Sequence, residues 1–573
     1  MEWIGARFTA FKSFWIVGKL YWWESPDRWE GYSLVILMLI FLSLDSFMAV
    51  NQLKQQGNLM TALVGLDVPS FWRSIFYYML FSMLLAIMMA IWRYVEDKVR
   101  WYSRRSLTDI YLKKYFEDMN FYRINVFTVE IDNPDQRIAE DIKDFCHRSV
   151  TVFRQFTRSF LNLFGFIILL WNVSKLLVIV IIVYSIGGLF ITVFGFGSIL
   201  IPIKKELLKR EADFRFSLVR VKENCESIAF YNGFTREYEQ LKIFFNKVLS
   251  TYDRVINWER NLDIFENLYE YITWALPALF IGPKILRGEP GMEVGALQEA
   301  LGAFRRVFNS LNVIIRMFEF LTNFMAGIER LESFAKALEE KREQAIDQNP
   351  RITMIEESQL SFNQITLQTP NYQRTLVKDL SLQVPSSQGL LIVGPSGCGK
   401  SSILRAIAGL WDSGTGIIYR PPLEEILFLP QRPYLILGSL RDQLLYPRTD
   451  LNIPDRQIYQ VLNQVNLPNL AEKLDNLDRI EDWHSILSMG EQQRLAFARL
   501  LLTQPRYAML DEATSALDIH NEQILYKHLE ALSTTYISVG HRPTLLHYHH
   551  QVLEVMNDET WRLRSVQDYQ FKD

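Results

Sequence analysis

Long apolar stretches in the first 330 or so residues constrain the fold of this 573-residue chain more than any other feature. Four of them approach the roughly 20 residues that an α-helix needs to cross the hydrocarbon core of a bilayer. A helix in a soluble core is rarely apolar on every face over such a length. We therefore predict membrane-spanning helices at about 33–52, 72–95, 157–173 and 176–200.

Two weaker candidates at about 270–287 and 303–326 bring the predicted number of spans to six. Connections rich in Lys and Arg face the cytoplasm. The segments after the second and fourth spans are the basic ones, which places them and both termini inside; their basic residues are Arg100, Arg104, Arg105, Lys204, Lys205, Lys209 and Arg210. Both segments run to about 50 to 70 mostly polar residues, too long for turns. We predict helices that extend into the cytoplasm, with soluble insertions as the alternative.

The two ends of the apolar region suggest domain boundaries. Residues 1–30 mix Lys and Arg with Phe and Trp, as is typical of an amphipathic helix lying in the membrane interface, although a frayed terminus is the alternative. A Glu- and Lys-rich stretch ends at Asn349-Pro350 and indicates a linker. We predict an interfacial elbow helix (1–30), an α-helical transmembrane domain (31–344) and an α/β domain (345–573).

The overall composition excludes little, because a net charge of -3 and a mean hydropathy of +0.02 average over two different halves. Nucleic-acid binding needs a clustered basic surface, which this balance does not indicate, so no nucleic-acid partner is expected. The three cysteines, Cys146, Cys225 and Cys398, have no spacing that suggests zinc or a redox dithiol. A reducing cytosolic environment is the simplest interpretation.

The strongest local motif is Gly394-Pro-Ser-Gly-Cys-Gly-Lys400-Ser401, which follows an apolar run and precedes a predicted helix, as a P-loop requires. Its glycines let backbone N–H groups turn toward phosphates, Lys400 adds positive charge, and Ser401 offers its hydroxyl to Mg²⁺. ATP and Mg²⁺ are therefore the predicted ligands. The predicted binding residues are Gly394, Ser396, Gly397, Gly399, Lys400, Ser401 and Ser402.

Two carboxylates end a later apolar run, Tyr507-Ala-Met-Leu-Asp511-Glu512. With a P-loop in the same domain, Asp511 is expected to hold the Mg²⁺ shell, and Glu512 to orient the attacking water or accept its proton. Solvated charges at a strand end are the alternative. Tyr372, upstream of the P-loop, is the candidate for stacking on adenine, with a surface-turn tyrosine as the alternative.

The segment Leu487-Ser-Met-Gly490-Glu-Gln-Gln-Arg494 resembles the signature motif of the ABC superfamily. The resemblance implies that Ser488 and Gly490 of one subunit close over the nucleotide on the P-loop of another, so that two cassettes are needed. It departs from the usual pattern at Met489, which replaces a second glycine. The resemblance also implies a Q-loop at Gln431, which senses Mg²⁺ and the membrane domain, a D-loop at Asp518, and a switch histidine at His541.

Longer stretches resemble the D subfamily of ABC half-transporters, the peroxisomal fatty-acyl-CoA transporters, and bacterial relatives of the SbmA/BacA type. They are Asn133 to Asp141, Glu223 to Tyr231, and Gln431 to Asp442. The resemblance implies that Glu223 and Glu226 lie where the membrane domain couples to the ATPase, with solvated helix charges as the alternative. It also implies an exporter-like fold for the transmembrane domain, with residues 345–573 as an ABC ATPase domain. The implied cargo is an acyl-CoA ester, a peptide or a corrinoid, moved in either direction.

Arginines in or near the spans are costly in a membrane and usually functional, so they are candidates to meet an anionic part of the cargo. They are Arg158, Arg305, Arg306 and Arg316. Alternatively they pair with Glu319 or lie in the cytoplasmic extensions.

The resulting hypothesis is an ATP-driven transporter that works as a homodimer in the bilayer. The expected location is a bacterial plasma membrane with the ATPase domain in the cytoplasm, or else a peroxisomal membrane. A membrane-anchored ABC ATPase that regulates a partner without moving cargo is the competing hypothesis. A soluble ABC ATPase of translation or DNA repair conflicts with the apolar spans.

Overall fold

The computed structural model describes residues 14–127, 131, 133–289, 293–313, 317–339, 350–448, 450–468, 470 and 476–570. Its contacts divide the chain into two compact units, Met1–Glu339 and Glu340–Asp573. Residues 340–349 of the predicted linker and the first part of the predicted elbow helix lie outside the described residues, whereas the earlier part of the linker, up to Glu339, is helical. The predicted domain bounds stay predictions.

The first unit is helical throughout its described part. Its long helices are α1 (Arg28–Val64), α2 (Val68–Phe116), α4 (Ile142–Val173), α5 (Lys175–Phe190), α6 (Gly197–Glu223), α8 (Phe234–Leu286), α9 (Val294–Leu311) and α10 (Phe318–Glu339); shorter ones are α3 (Asn120–Phe127) and α7 (Cys225–Phe230). A π-helical segment, Ile191–Phe196, joins α5 to α6.

Four helical stretches in the described part of the chain are long and apolar enough to cross a membrane: Arg28–Val64, Val68–Val126, Pro134–Val173 and Lys175–Glu223. They contain the first four predicted spans and continue into polar segments, as predicted for helices that leave the membrane. The fifth predicted span lies in α8, and the sixth begins in α9 and crosses residues outside the described set. Within the described residues, neither α8 nor α9 is long and apolar enough to be counted with those four stretches.

The outer faces of these helices expose large apolar side chains, including Phe47, Phe76, Met83 and Ile179. Such contiguous apolar surface is unfavourable in water but is the normal lipid contact of a membrane protein. Between the helices, small residues allow close packing: a Cβ on Gly295 would collide with the Gly57 backbone, and one on Gly302 would collide with Leu53. Helices α1 and α9 thus pack through glycines, as membrane helices commonly do.

The second unit is an α/β domain built on two main sheets. A six-stranded sheet has the order β12-β11-β4-β10-β9-β6 and is parallel except at β12; a four-stranded sheet has the order β1-β5-β2-β3. The strands are β1 (Thr353–Glu356), β2 (Ser361–Gln368), β3 (Thr375–Gln383), β4 (Gly389–Val393), β5 (Gly414–Arg420), β6 (Ile426–Leu429), β7 (Gly438–Ser439), β8 (Ile480–Glu481), β9 (Tyr507–Asp511), β10 (Thr535–Val539), β11 (Gln551–Val555) and β12 (Trp561–Ser565).

The helices of this domain pack on the central sheet or on one another. They are α11 (Lys400–Ile407), α12 (Leu440–Leu445), α13 (Asp455–Gln464), α14 (Trp483–Ile486), α15 (Met489–Thr503) and α16 (Ile519–Glu530). Every residue of β4 and β10 is buried, which explains why both read as continuous apolar runs rather than alternating patterns. Because β4, β9 and β10 are parallel neighbours, the loops that follow them meet at one edge of the sheet. Ligands of open α/β sheets bind at that edge.

Candidate ATPase site

The P-loop leaves β4 and enters α11 through a tight turn. Gly394 has a φ of 150°, and a Cβ there would strike the carbonyl oxygen of Val555; Gly399 has a φ of 106°. Both positions require glycine. The ammonium of Lys400 donates to the carbonyl oxygens of Gly394 at 2.9 Å and Pro395 at 2.8 Å, so its charge is held at the turn, beside the helix N-terminus. Phosphate groups bind well to this combination of backbone N–H groups and positive charge.

The remaining P-loop residues lie on this turn and the start of α11. Ser396 and Gly397 are exposed at its tip, and Gly397 has a φ of 78°. Ser402 is buried in the first turn of α11. The predicted phosphate-binding residues therefore form one continuous turn, exposed at its tip and buried where it enters α11.

Ser401 and Asp511 come together although they belong to different elements. The Ser401 hydroxyl donates to Oδ1 of Asp511 at 2.7 Å, at the end of β9. Burial raises the pKa of the Asp511 carboxyl, and the hydrogen bond from Ser401 opposes that shift. A hydroxyl beside a carboxylate is the oxygen donor set that Mg²⁺ prefers. No group of three or more His, Cys, Asp or Glu residues suited to a metal occurs in the described part of the chain. One hydroxyl and one carboxylate suit a Mg²⁺ ion that takes its remaining ligands from phosphate and water.

Glu512 follows Asp511 with a φ of 49°, which is uncommon for a residue other than glycine and often marks a functional position. Its backbone N–H donates to the Val539 carbonyl oxygen at 3.0 Å. The side-chain amide of Gln431 donates to Glu512 Oε2 at 2.8 Å, and His541 Nε2 lies 3.3 Å from Glu512 Oε1. The three predicted catalytic residues thus meet from three separate loops, with Gln431 and His541 both contacting the Glu512 carboxylate.

The signature segment begins α15. Ser488 caps the helix and forms a capping box with Glu491, and each side chain bonds to the backbone of the other residue. Gly490 packs closely, since a Cβ there would lie 3.2 Å from the Ala516 carbonyl oxygen. Met489 occupies the first helical position and is 38% exposed, so it replaces the usual glycine without disturbing the cap.

The D-loop residue Asp518 caps α16 and accepts a hydrogen bond from the Asn521 backbone N–H at 2.7 Å. The hydrogen bonds from Asn521, first the backbone one and then the side-chain one, lower the pKa of this exposed carboxyl. Asp518 therefore stays ionised near the start of the helix, where a negative charge is favourable.

Gln493 is a residue of this site that the sequence analysis missed. It is buried, its amide donates to the Gln431 carbonyl oxygen at 3.1 Å and to Ser515 Oγ at 3.2 Å, and its Oε1 accepts from the Ala516 N–H at 3.0 Å. One side chain thus connects the Q-loop, the signature helix and the D-loop. The available signal was an uncharged polar residue early in a helix whose later residues are mostly buried and apolar.

Tyr372 lies in the turn between β2 and β3 with a φ of 56°, and its backbone N–H donates to the Thr369 carbonyl oxygen at 2.7 Å. Its ring is partly exposed. Stacking on adenine stays a prediction.

The predicted coupling residues lie on a sharp turn of the first unit. Glu223 is the last residue of α6 and Glu226 lies in the first turn of α7; both are exposed. The six-residue helix α7 separates two much longer helices and carries exposed aromatic residues at its end, Phe230 and Tyr231. Their role in coupling stays a prediction.

The predicted cargo arginines differ in their surroundings. Arg158 forms an ion pair with buried Asp45 of α1, at 3.1 Å from Nη2. Arg306 lies over the ring of Phe166. Arg305 lies 4.7 Å from the ring centroid of Trp274 and 3.7 Å from Glu270. Arg316 and the Glu319 side chain lie outside the described residues.

Comparison with known proteins agrees with both units. Residues 25–286 match the family model described as ABC transporter transmembrane region 2, and residues 377–515 match the family model described as ABC transporter. An uncharacterized ABC transporter ATP-binding protein of Synechocystis is 41% identical over 88% of this chain and 77% of its own length. The chloroplastic ABC transporter D family member 2 of Arabidopsis thaliana is 33% identical over 97% and 88%.

Two further matches cover most of the chain. The mouse lysosomal cobalamin transporter ABCD4 is 31% identical over 81% of each chain. The solved structure of a bacterial Atm1-family ABC exporter with ATP bound superposes with a TM-score of 0.73 over 94% of this chain and 96% of the exporter, at 17% identity. That last likeness shows the fold, and it confirms the predicted fold class of an exporter-like helical domain fused to an ABC ATPase domain.

Proposed function

The chain belongs to the ABC transporters, as a membrane-spanning half-transporter related to their D family, and we propose that it works as a homodimer with two equivalent ATP sites. ATP binding and ATP-driven membrane transport follow from the family. The homodimer is supported by completeness: one chain carries a P-loop, a paired Ser401–Asp511, a catalytic carboxylate candidate and a signature segment. Each site would take its P-loop from one copy and its signature segment from the other.

The observation that carries the assignment of residues is the convergence on Glu512. Gln431 and His541 contact different oxygens of its carboxylate, and the left-handed backbone at Glu512 directs the side chain away from the strand. Glu512 would orient the attacking water and accept its proton, while His541 would steady that water and the γ-phosphate. A base that is fixed by neighbours contributes by positioning as well as by proton transfer.

Mg²⁺ would be held by Ser401, Asp511 and the amide oxygen of Gln431, together with phosphate oxygens and water. Bound there, the ion would neutralise charge that develops on the phosphates. Lys400 and the backbone N–H groups of the P-loop bind the phosphates from the other side.

The cargo that we propose is a bulky molecule with both charged and apolar parts, such as an acyl-CoA or fatty acid, a peptide or a corrinoid. A cavity of about 350 Å³ on α8 is lined by Asn267, Glu270, Tyr271 and Trp274, with Arg305 beside it. At 1.5 Å per residue, Arg305 lies about 16 Å along α9 from its start, which corresponds to about half the bilayer thickness for a helix that enters the membrane at that end. A charged pair at that depth is costly unless it faces a polar cavity. The corrinoid is also supported by the name of the lysosomal cobalamin relative.

Uptake into proteoliposomes tests the proposal. The purified protein would be reconstituted and given an acyl-CoA, a cationic peptide and a corrinoid in turn, with Glu512→Gln as the control in each case. ATP-dependent accumulation of one cargo, absent in the control, is the expected result. Cargo-stimulated ATP hydrolysis without any uptake would favour the alternative, a membrane-anchored ATPase that regulates a partner.

A further inference from the structure

Glu522 is a carboxylate in the first turn of α16 that is completely shielded from solvent. It does not belong to the residues predicted to bind nucleotide. Its Oε2 accepts hydrogen bonds from Thr514 Oγ1 at 2.8 Å and from Arg542 Nη1 at 3.2 Å. Its Oε1 accepts from Thr544 Oγ1 at 2.6 Å. A buried carboxylate is tolerated only when it is paired in this way, so all of its partners are held to defined positions.

These partners belong to two different loops. Thr514 lies in the loop that follows β9 and contains Glu512, whereas Arg542 and Thr544 lie in the loop that follows β10 and contains His541. Arg542 adds a second connection, because its Nη2 donates to the Ser515 carbonyl oxygen at 3.1 Å. Glu522 therefore fixes the two loops to each other from behind the site.

The distance between these two loops decides the geometry at the reacting centre. His541 is the direct neighbour of Arg542, and it contacts Glu512 at 3.3 Å from the other loop. A displacement of about 1 Å between catalytic groups costs on the order of 100-fold in rate. A neutral or shortened side chain at 522 would leave Arg542 with a weaker buried partner and let the loops move apart.

We propose that Glu522 is a positioning residue for ATP hydrolysis, setting the separation of Glu512 and His541 without touching nucleotide. This inference rests on the roles proposed for those two residues. It predicts that changes at Glu522 lower turnover and leave ATP binding intact, because the P-loop is not part of the bonded group.

The first test is Glu522→Gln in the full-length reconstituted protein. The amide keeps the size of the side chain, and its oxygen can still face Arg542 and Thr514. It removes the negative charge that pairs with Arg542 and the acceptor that faces the Thr544 hydroxyl. We expect kcat for ATP hydrolysis to fall at least tenfold, with KM and the affinity for a fluorescent ATP analogue within twofold of the unchanged protein. A variant that keeps more than half of its turnover would overturn the inference, as would a parallel loss of ATP affinity.

A matched pair of Thr→Val variants separates positioning from stability, and it decides the question alone if Glu522→Gln does not fold. Thr544→Val removes the hydrogen bond to Glu522. Thr534→Val removes a hydrogen bond of 2.7 Å to the Pro505 carbonyl oxygen, which lies where β9 and β10 begin, at the end of these strands away from the site. We expect similar decreases in Tm, but a loss of turnover of threefold or more only for Thr544→Val. Equal losses of turnover in the two variants would show a merely structural role.

The proposed function can fail separately from this inference. Undiminished hydrolysis in Glu512→Gln would remove the catalytic assignment itself. Loss of hydrolysis in Glu512→Gln together with normal turnover in Glu522→Gln would overturn only the positioning role.

Discussion

The two compact units of the chain surround their carboxylates with different partners. In the helical unit, the buried carboxylates Asp45, Glu96 and Asp141 are each bound by an arginine of another helix, in the last case Arg330 at 2.7 Å. In the ATPase unit, Glu512 is partly exposed and is held by an amide and an imidazole. The first arrangement joins helices, and the second leaves a carboxylate accessible at the edge of the sheet, as the proposed catalytic role requires. The role of a buried or partly buried carboxylate therefore depends on whether its partner is an arginine of another helix or a neutral side chain.

The largest effect is expected for Glu512→Gln, which replaces the candidate base by an amide of the same size. Turnover should fall by on the order of 100-fold or more, the range typical of a lost general base, while ATP binding persists. Steady-state hydrolysis and binding of a fluorescent ATP analogue measure the two quantities. Lys400→Ala is the contrasting variant, since it should weaken binding itself. If Glu512→Gln hydrolysed ATP normally, Glu512 would not be catalytic, and the carboxylates of the two units would not differ in function as proposed.

The next effect concerns buried Asp45 and its partner Arg158. Asp45→Asn leaves the guanidinium without its counter-charge. Removing one partner of a fully buried pair typically costs about 3 to 5 kcal/mol, and the cost here should be lower because the Arg158 side chain is 30% exposed. A clear decrease in Tm in detergent is expected. Asp144→Asn is the matched control, because Asp144 pairs with Arg148 in an exposed i,i+4 arrangement. Such pairs contribute about 0.5 kcal/mol, so the control should unfold almost as the unchanged protein does.

This test also addresses the cargo arginines. If Asp45→Asn/Arg158→Gln is more stable than Asp45→Asn alone, the pair is structural and Arg158 is not held for cargo. If Arg158→Gln removes uptake at unchanged stability, the charge acts on cargo instead.

The ATPase site was easier to predict from the sequence than the membrane unit was. The P-loop, the strand-end carboxylates and the signature segment are contiguous motifs, so their residues could be named directly. The fifth and sixth predicted spans were weak in the sequence, because charges such as Glu270 and Arg305 interrupt their apolar pattern. The partners of Asp45 and Asp141 could not be predicted, since they lie more than 100 residues away along the chain. Gln493 was missed because its three contacts exist only after three loops have met.

A pH-dependent effect is expected from His549, a buried residue of the ATPase unit. Burial lowers the pKa of its imidazole to about 4. In the neutral ring Nδ1 faces the Leu545 carbonyl oxygen and Nε2 faces Ser538 Oγ. Between about pH 6.5 and pH 4 the unfolded chain binds the proton that the folded state excludes, so stability falls as the pH falls through that window.

The expected loss on going from pH 7 to pH 5 is about 2 kcal/mol for this group. Thermal unfolding of the full-length protein at both pH values measures it, with His549→Gln as the reference that lacks the titrating ring. The unchanged protein should lose more stability than the variant does. Equal losses would show that the imidazole is protonated in the folded state.

The smallest effects come from two capping boxes of the ATPase unit that share one chemistry. Ser439 caps α12 through Asp442, and Ser488 caps α15 through Glu491. Replacing either serine by alanine should lower the free energy of unfolding by about 1 kcal/mol. The proposed dimer makes them differ in function, because only Ser488 would contact the nucleotide bound to the partner subunit. We therefore expect Ser488→Ala to lower ATP turnover well beyond Ser439→Ala at a matched decrease in Tm. Equal turnover in the two variants would argue against a shared nucleotide site.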